Sequence, residues 1–301
     1  MTGESASADR LPVLEIGGTH VTGALVDAHT WHLVESHRRP LNSNGDAEEI
    51  VGAFVAAGDQ LNALAGLTWG VAMPDPFDYT NGIATFRDVG KFDAIYGMDI
   101  RQALTRRLKA RPAHIAFLND ADAFVLGEWT SGSAVGYRRC VGITLGTGIG
   151  SGWLIDGEIT VRAPGVPDLG RARNLKAYGA GLEETVSSRG IRRNYAGRTG
   201  DTKADVADIA DRARGGDSAA VQTLRHTFEG LGQALAPAAR DFGADVVVIG
   251  GSMARSWDLF EPWFRDGLQW QGAPPVRVAA DLEAAALVGA TCHALRLRTG
   301  S

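Results

Sequence analysis

Apolar residues recur in two periods along the chain, and the order of those periods is repeated once. Leu11–Ile16, Val21–Val26 and Trp31–Glu35 are short apolar segments parted by Gly17-Gly18-Thr19 and by Asp27-Ala28-His29-Thr30. Turn-type breaks at such close spacing predict an antiparallel three-stranded meander. Ile50, Val51, Phe54, Val55 and Leu61 then share one face at helical spacing, behind Asp46 as a cap with Glu49 three positions on. Thr68–Met73 reads as a buried strand stopped by Pro74 and Pro76, and the stretch to Gly90 as a long loop or small hairpin. A helix over Asp99–Leu108, a strand over Ala113–Leu118 and a helix over Ala121–Trp129 complete the first copy.

In the second copy, Cys140–Leu145, Ser151–Ile155 and Glu158–Val161 form another meander. Helices follow at about Leu182–Tyr195 and Asp217–Asp241, the longer one carrying Val221, Leu224, Phe228, Leu231 and Leu235. Val246–Ile249 is a buried strand running into Gly250-Gly251-Ser252, followed by a helix, the strand Val276–Ala279 and a final helix from Asp281. The repeat is one of element order, not of residue identity. It predicts a duplicated, two-lobed α/β fold with a cleft between the lobes. The division expected is 1–119 and 120–301, with the final helix (282–297) packing back on the first lobe.

The chain has 301 residues, near the length at which one core splits into two. With 45% hydrophobic and 22% charged residues it is neither disordered nor fibrous. A net charge of -5 offers no general field for nucleic acid. Two cysteines, Cys140 and Cys292, make neither a disulfide framework nor a Cys-rich metal site. No secretory or membrane-length apolar run is present, so a cytoplasmic protein with no membrane partner is expected.

Four short motifs carry candidate chemistry. In Glu15-Ile16-Gly17-Gly18-Thr19 the glycines let backbone N–H groups approach an anion, Thr19 adds a donor, and Glu15 can hold Mg²⁺ directly or through water; a plain tight turn is the alternative. Leu145-Gly146-Thr147-Gly148-Ile149-Gly150-Ser151-Gly152 holds more glycine than a hairpin needs and reads as a loop around phosphate. It is neither a P-loop, lacking Gly-Lys-Ser/Thr, nor a dinucleotide fingerprint, since strand pattern follows. Asn119-Asp120-Ala121-Asp122 lies between a buried strand and a helix, where a carboxylate can accept a proton from a substrate hydroxyl or merely cap the helix. Gly250-Gly251 after a buried strand can lie flat against an adenosine or simply close a βα turn.

Taken in order, these motifs resemble the ROK family of sugar kinases and repressors, within the actin/hexokinase-like superfamily. The family pattern Asp-x-Gly-Gly-Thr appears as Glu15–Thr19, Asn-Asp-Ala-Asn then Gly-Glu as Asn119–Asp122 with Gly127-Glu128, and Gly-Thr-Gly-x-Gly-x-Gly as Gly146–Gly152. Leu182-Glu183-Glu184-Thr185-Val186-Ser187 is similar to the family's Leu-Glu-x-x-x-Ser. The likeness runs from Leu11 to about Leu295. It implies that Asp120 is the catalytic base, that Asn119 and Glu183 hold sugar hydroxyls, and that Gly17, Gly18, Thr19, Gly146, Thr147, Gly148, Gly250 and Gly251 hold ATP. It also implies Mg²⁺, with Glu15 one methylene longer than the family's Asp, and a homodimer.

The sequence departs from the family at its sugar-binding Glu-x-Gly-His and at the cysteine-rich zinc loop. Here Pro167-Asp168-Leu169-Gly170-Arg171 stands in their place, without His or Cys. No zinc is expected. Asp168 stands for the sugar-binding glutamate and Arg171 for the histidine, unless a shift of register puts Arg171 and Asn174 there. The resemblance therefore implies phosphorylation of a primary hydroxyl on a modified hexose or aminosugar such as kanosamine. A C7-cyclitol 7-kinase, an ordinary glucokinase and a non-catalytic sugar sensor are the alternatives. The family's repressors carry a helix-turn-helix before the first strand, and about ten residues precede it here, so no nucleic-acid partner is expected.

Overall fold

In the computed structural model, which describes residues 9–299, the chain divides into two units. One runs to Ser131 and resumes at Glu283; the other is Gly132–Leu282. The first opens with β1 (Arg10–Ile16), β2 (His20–Asp27) and β3 (Leu33–Pro40), an antiparallel meander. The third strand runs past the apolar segment that announces it, because edge pairing tolerates the half-exposed His37-Arg38-Arg39. Helix α1 (Ala47–Gly58) starts where Asp46 accepts the Glu49 N–H at 2.8 Å. Strand β4 (Thr68–Met73) returns parallel to β1. The segment after it holds a small hairpin, β5 (Phe77–Asp78) with β6 (Ile83–Ala84), and helix α2 (Ile100–Arg107) is capped by Asp99. Strand β7 (His114–Asn119) pairs parallel with β4 and leads straight into α3 (Asp120–Ser131), so the sheet order is β3-β2-β1-β4-β7.

The second unit repeats this plan. A meander of β8 (Arg139–Leu145), β9 (Ile149–Ile155) and β10 (Glu158–Ile159) is followed by a two-stranded hairpin, β11 (Lys176–Ala177) and β12 (Ala180–Gly181). Then come α4 (Leu182–Val186), α5 (Ser188–Thr199), α6 (Val206–Arg214), α7 (Ser218–Phe242), β13 (Val246–Gly250), α8 (Trp257–Gly267) and β14 (Val276–Val278). The sheet order, β10-β9-β8-β13-β14, is that of the first unit. The helix expected over Leu182–Tyr195 is broken at Ser187, whose hydroxyl caps α5 by accepting the Gly190 N–H at 3.2 Å. Helix α6 carries too short an apolar pattern to be read in advance; Asp205 and Asp208 form its reciprocal cap.

The final helix, α9 (Ala285–Thr299), belongs to the first unit. One face of that unit's sheet, with Leu14, Trp69 and Phe117, packs under α1 and α2 around Phe54 and Phe92. The opposite face presents small side chains at Gly70, Ala72 and Ala116, which lets helix backbone lie close. A methyl added at Gly70 would come 2.5 Å from the Ala290 carbonyl oxygen. Helices α3 and α9 meet reciprocally: a Cβ on Gly127 would strike the Ala285 carbonyl, and one on Gly289 the Ala123 carbonyl. Because α3 makes these contacts with α9, the boundary expected after residue 119 falls instead after Ser131, and α3 belongs to the first unit. Cys140 and Cys292 are buried free thiols; burial, then Asp245, pushes the Cys140 thiol up to about 12 and leaves it an inert core filler.

Candidate active site

In the first unit the candidate residues gather where the parallel strands end. Glu15 on β1 is level with Ala72 on β4, and Met73 on β4 is level with Asn119, the last residue of β7. This is the carboxyl edge at which open α/β sheets bind ligands. No residue separates β7 from α3, so Asp120 is the first residue of the helix and its carboxylate sits at the positive end of the helix dipole. Asn119, 3% exposed, caps that helix: its Oδ1 accepts the N–H groups of Ala121 at 3.1 Å and Asp122 at 3.2 Å. Its Nδ2 donates to the Tyr79 hydroxyl at 3.1 Å.

Glu15 is only partly covered as a residue, yet its carboxyl has lost most of its water. That loss, with the charge of Asp120 next and Glu283 adding, pushes it up to about 7 against the opposing pull of Arg38. Arg38 is the cross-strand neighbour of Thr22, which itself faces Glu15, so the three form one row across β1, β2 and β3. In the adjoining turn the Gly17 N–H bonds the His20 carbonyl at 2.9 Å, while nothing lies within 4 Å of a Cβ placed on Gly18. Arg38 also donates to His20 Nδ1 at 3.1 Å, and burial followed by the Arg38 charge holds that imidazole below its usual range.

The second unit assembles the other set. Gly146-Thr147-Gly148 links β8 to β9, and the Gly146 N–H is spent inside the turn on the Gly148 carbonyl. Ser188 clamps the turn from outside, with its N–H at 3.0 Å and its hydroxyl at 2.8 Å both donating to the Gly146 carbonyl. Glu183, near the start of α4, accepts the Ile149 N–H at 2.9 Å and lies 2.8 Å from a Cβ placed on Gly148. Glycine at position 148 is what lets the carboxylate in. Strand β13 runs parallel to β8 with Gly250 level with Thr144, bringing the second glycine turn beside the first. Gly251 has φ +81°, and a side chain there would strike the Leu145 carbonyl.

Asp168 and Arg171 flank a tight 3-10 turn and have different surroundings. Asp168 is exposed. Arg171 is 9% exposed and donates from Nη1 to the Ser151 carbonyl of β9 at 3.3 Å, which ties the guanidinium to the sheet. Asn174 is exposed, with Nδ2 bonded to the Asp168 carbonyl at 3.2 Å. Thus the structure joins Glu15, Asn119 and Asp120 in one unit and the two glycine turns with Glu183 in the other. Tyr79 was not legible in the sequence, because it lies in the irregular segment after β4 and no periodicity marks it. Ser188, beside the cap residue Ser187, carried no signal of its own either.

Among the described residues no group of three or more His, Cys, Asp or Glu side chains is gathered for a metal. Mg²⁺ does not need one, since it binds through one or two carboxylates and otherwise through water and phosphate. Glu15, facing the charges of Asp120 and Glu283, is such a hard oxygen donor. Zinc needs a closed four-ligand set. Protein purified without added metal is expected to contain no stoichiometric zinc, and a strong zinc chelator should leave its melting temperature unchanged. One zinc per chain on elemental analysis would contradict this.

No helix among the described residues is long and apolar enough to cross a membrane. The chain is 28% identical over 272 residues to a glucokinase of Thermotoga maritima, covering 83% of this chain and 84% of that protein. It is 29% identical over 261 residues to an N-acetylgalactosamine kinase of a Shewanella species, covering 80% and 81%. Its fold matches that of a ROK family glucokinase from Streptomyces griseus, solved with glucose and AMPPNP, with a TM-score of 0.74 at 23% identity over 95% of this chain and 99% of that one. The repeated sheet order, the two glycine turns and the Asn119-Asp120 helix start are thus accompanied by a match to the ROK family model over residues 13–294, and the chain belongs to the ROK family.

Proposed function

We propose that this protein is an ATP-dependent sugar kinase that phosphorylates a primary hydroxyl of a hexose-like substrate. The observation that carries the reading is Asp120, a carboxylate opening a helix at the carboxyl edge of β7 with its backbone fixed by the Asn119 cap. Asp120 takes the proton of the acceptor hydroxyl while that oxygen attacks the γ-phosphorus of ATP in line, and ADP departs. The remaining Nδ2–H of Asn119 and the carboxylate of Glu183 bind sugar hydroxyls. The Gly17-Gly18-Thr19 and Gly146-Thr147-Gly148 turns hold phosphate through backbone N–H groups other than those of Gly17 and Gly146, which are spent within the turns, and Gly250-Gly251 supports the adenosine. Mg²⁺, held through Glu15, would offset phosphate charge when bound.

The acceptor we favour is a modified hexose or an aminosugar of the kanosamine type, ahead of a C7-cyclitol or glucose. Support comes from the stretch after Pro167, where an exposed Asp168 stands without a histidine and Arg171 is tied to β9. A hydroxyl pattern read by Glu and His loses partners there, and each buried polar group left unpaired costs about 1–3 kcal/mol. Glucose is therefore expected to be at least about tenfold poorer in kcat/KM than the best aminosugar or cyclitol. A coupled ADP-release screen over glucose, mannose, aminosugars and cyclitols tests both points. Glucose as the best acceptor overturns the specificity reading, and no turnover of any acceptor, with sugar binding retained, favours the non-catalytic sensor.

A further inference from the structure

The Tyr79 hydroxyl lies within hydrogen-bond reach of three groups: the Asp75 carboxylate at 2.9 Å, the Met73 carbonyl at 3.0 Å and Asn119 Nδ2 at 3.1 Å. Two of these, a carboxylate and a backbone carbonyl, only accept. The single phenolic proton must therefore point at one of them, and the oxygen is left to accept from Asn119. Burial, followed by the charges of Asp75 and Asp120, raises the phenol above its usual value, so it stays a donor across the working pH range. This settles which way the Asn119 carboxamide faces. Nδ2 is toward Tyr79, and Oδ1 is toward the helix, where the N–H groups of Ala121 and Asp122 need an acceptor.

We infer that Tyr79, backed by Asp75, is a positioning residue for the phosphoryl-transfer site: it fixes the Asn119 carboxamide and, through the cap, the first turn of α3 that carries Asp120. The inference rests on the kinase reading above for its catalytic consequence but not for its geometry. The chain is directional. It begins at the N–H groups of Ala121 and Asp122, in the helix turn that carries Asp120, which donate to Asn119; Asn119 donates to Tyr79, and Tyr79 to Asp75 or Met73. With Phe at position 79 the Asn119 Nδ2 group, in a residue 3% exposed, loses its acceptor, and the carboxamide is held only through its Oδ1 on the helix side. Small displacements of a catalytic group cost rate far more than they cost stability.

The test compares wild type, Tyr79→Phe, Asp75→Ala and the double variant in kcat, in KM for acceptor and ATP, and in melting temperature. Tyr79→Phe is expected to lower kcat by about tenfold to a hundredfold, with KM for ATP unchanged and melting shifted by only a few degrees. Asp75→Ala should cost less, because the Met73 carbonyl still takes the phenolic proton. The double variant should be no worse than Tyr79→Phe alone, the non-additivity expected of residues acting through one chain. Tyr79→Phe with wild-type kcat, or two fully additive effects, would overturn the inference. If wild type itself phosphorylates no acceptor, the kinase reading fails instead. Hydrogen exchange of the Asn119 side-chain amide then decides: slow in wild type and faster in Tyr79→Phe supports the chain, and equal rates refute it.

Discussion

Asp120→Asn is expected to lower kcat by about 10²-fold or more, the range for losing a general base. Asparagine keeps the size and helix-start geometry of the aspartate, and the cap on this helix comes from Asn119, so the fold should persist. What is lost is one negative charge at the positive end of α3, about 0.3–1 kcal/mol of stability at most. A small drop in melting temperature with a large drop in kcat is the signature to look for. KM for ATP should hold, since the glycine turns are untouched. Turnover near the wild-type rate would remove Asp120 from the mechanism.

Gly289→Ala should damage stability more than any substitution at the site. The methyl it adds has no room, because the atom it meets is the Ala123 carbonyl in the backbone of α3 and not the end of a movable side chain. Gly127→Ala meets the Ala285 carbonyl in the same way. Separating two helices seated on each other's backbone costs about 3 kcal/mol or more, above the usual range for an overpacked methyl. Gly197→Ala in α5 is the control: nothing lies within 4 Å of its Cβ, and replacing a helical glycine by alanine should be neutral or gain up to about 1 kcal/mol. Urea midpoints for the three variants separate the outcomes. Equal midpoints for Gly289→Ala and Gly197→Ala would show that the two helices are not in contact in solution.

Much of the fold is legible in the sequence. The meanders, the buried strands and the capped helices announce themselves by period and by Gly, Pro and Asp breaks, and the repeated order of elements predicts two lobes but not the strand order within each sheet. Asn119-Asp120 and the Gly17-Gly18 turn read by themselves equally as a cap and a tight turn, and only the Gly146–Gly152 run holds more glycine than a hairpin needs; the order of all the motifs is what points to a site. The rest needed three dimensions. Gly127 belongs to a motif and Gly289 to none, and nothing in the sequence pairs the two, yet each is required by the other's helix. Ser187 breaks a helix that apolar spacing alone would carry through to Tyr195, since its capping hydroxyl competes with the pattern. Tyr79 sits in an irregular segment, where only the contact with Asn119 reveals a role. The Asp168–Asn174 stretch can be aligned two ways from the sequence, and in the structure Arg171 is tied to β9 while Asp168 and Asn174 are exposed.

The seat of α9 also sets a timetable for the nascent chain. Gly70 and Gly127 leave the ribosome early, but the helix that covers them is encoded after the whole of Gly132–Leu282. At about 5–20 residues per second, synthesis leaves that face of the first sheet without its helix for roughly eight to thirty seconds. The first half of the polypeptide to be made is therefore the last to be finished. During that wait the cluster of Leu11 and Ala116 lacks Ala294 and Leu295, the side chains that the last helix brings to it. A chain released before α9 is made would carry this uncovered face permanently, a ready surface for holdase chaperones or for self-association.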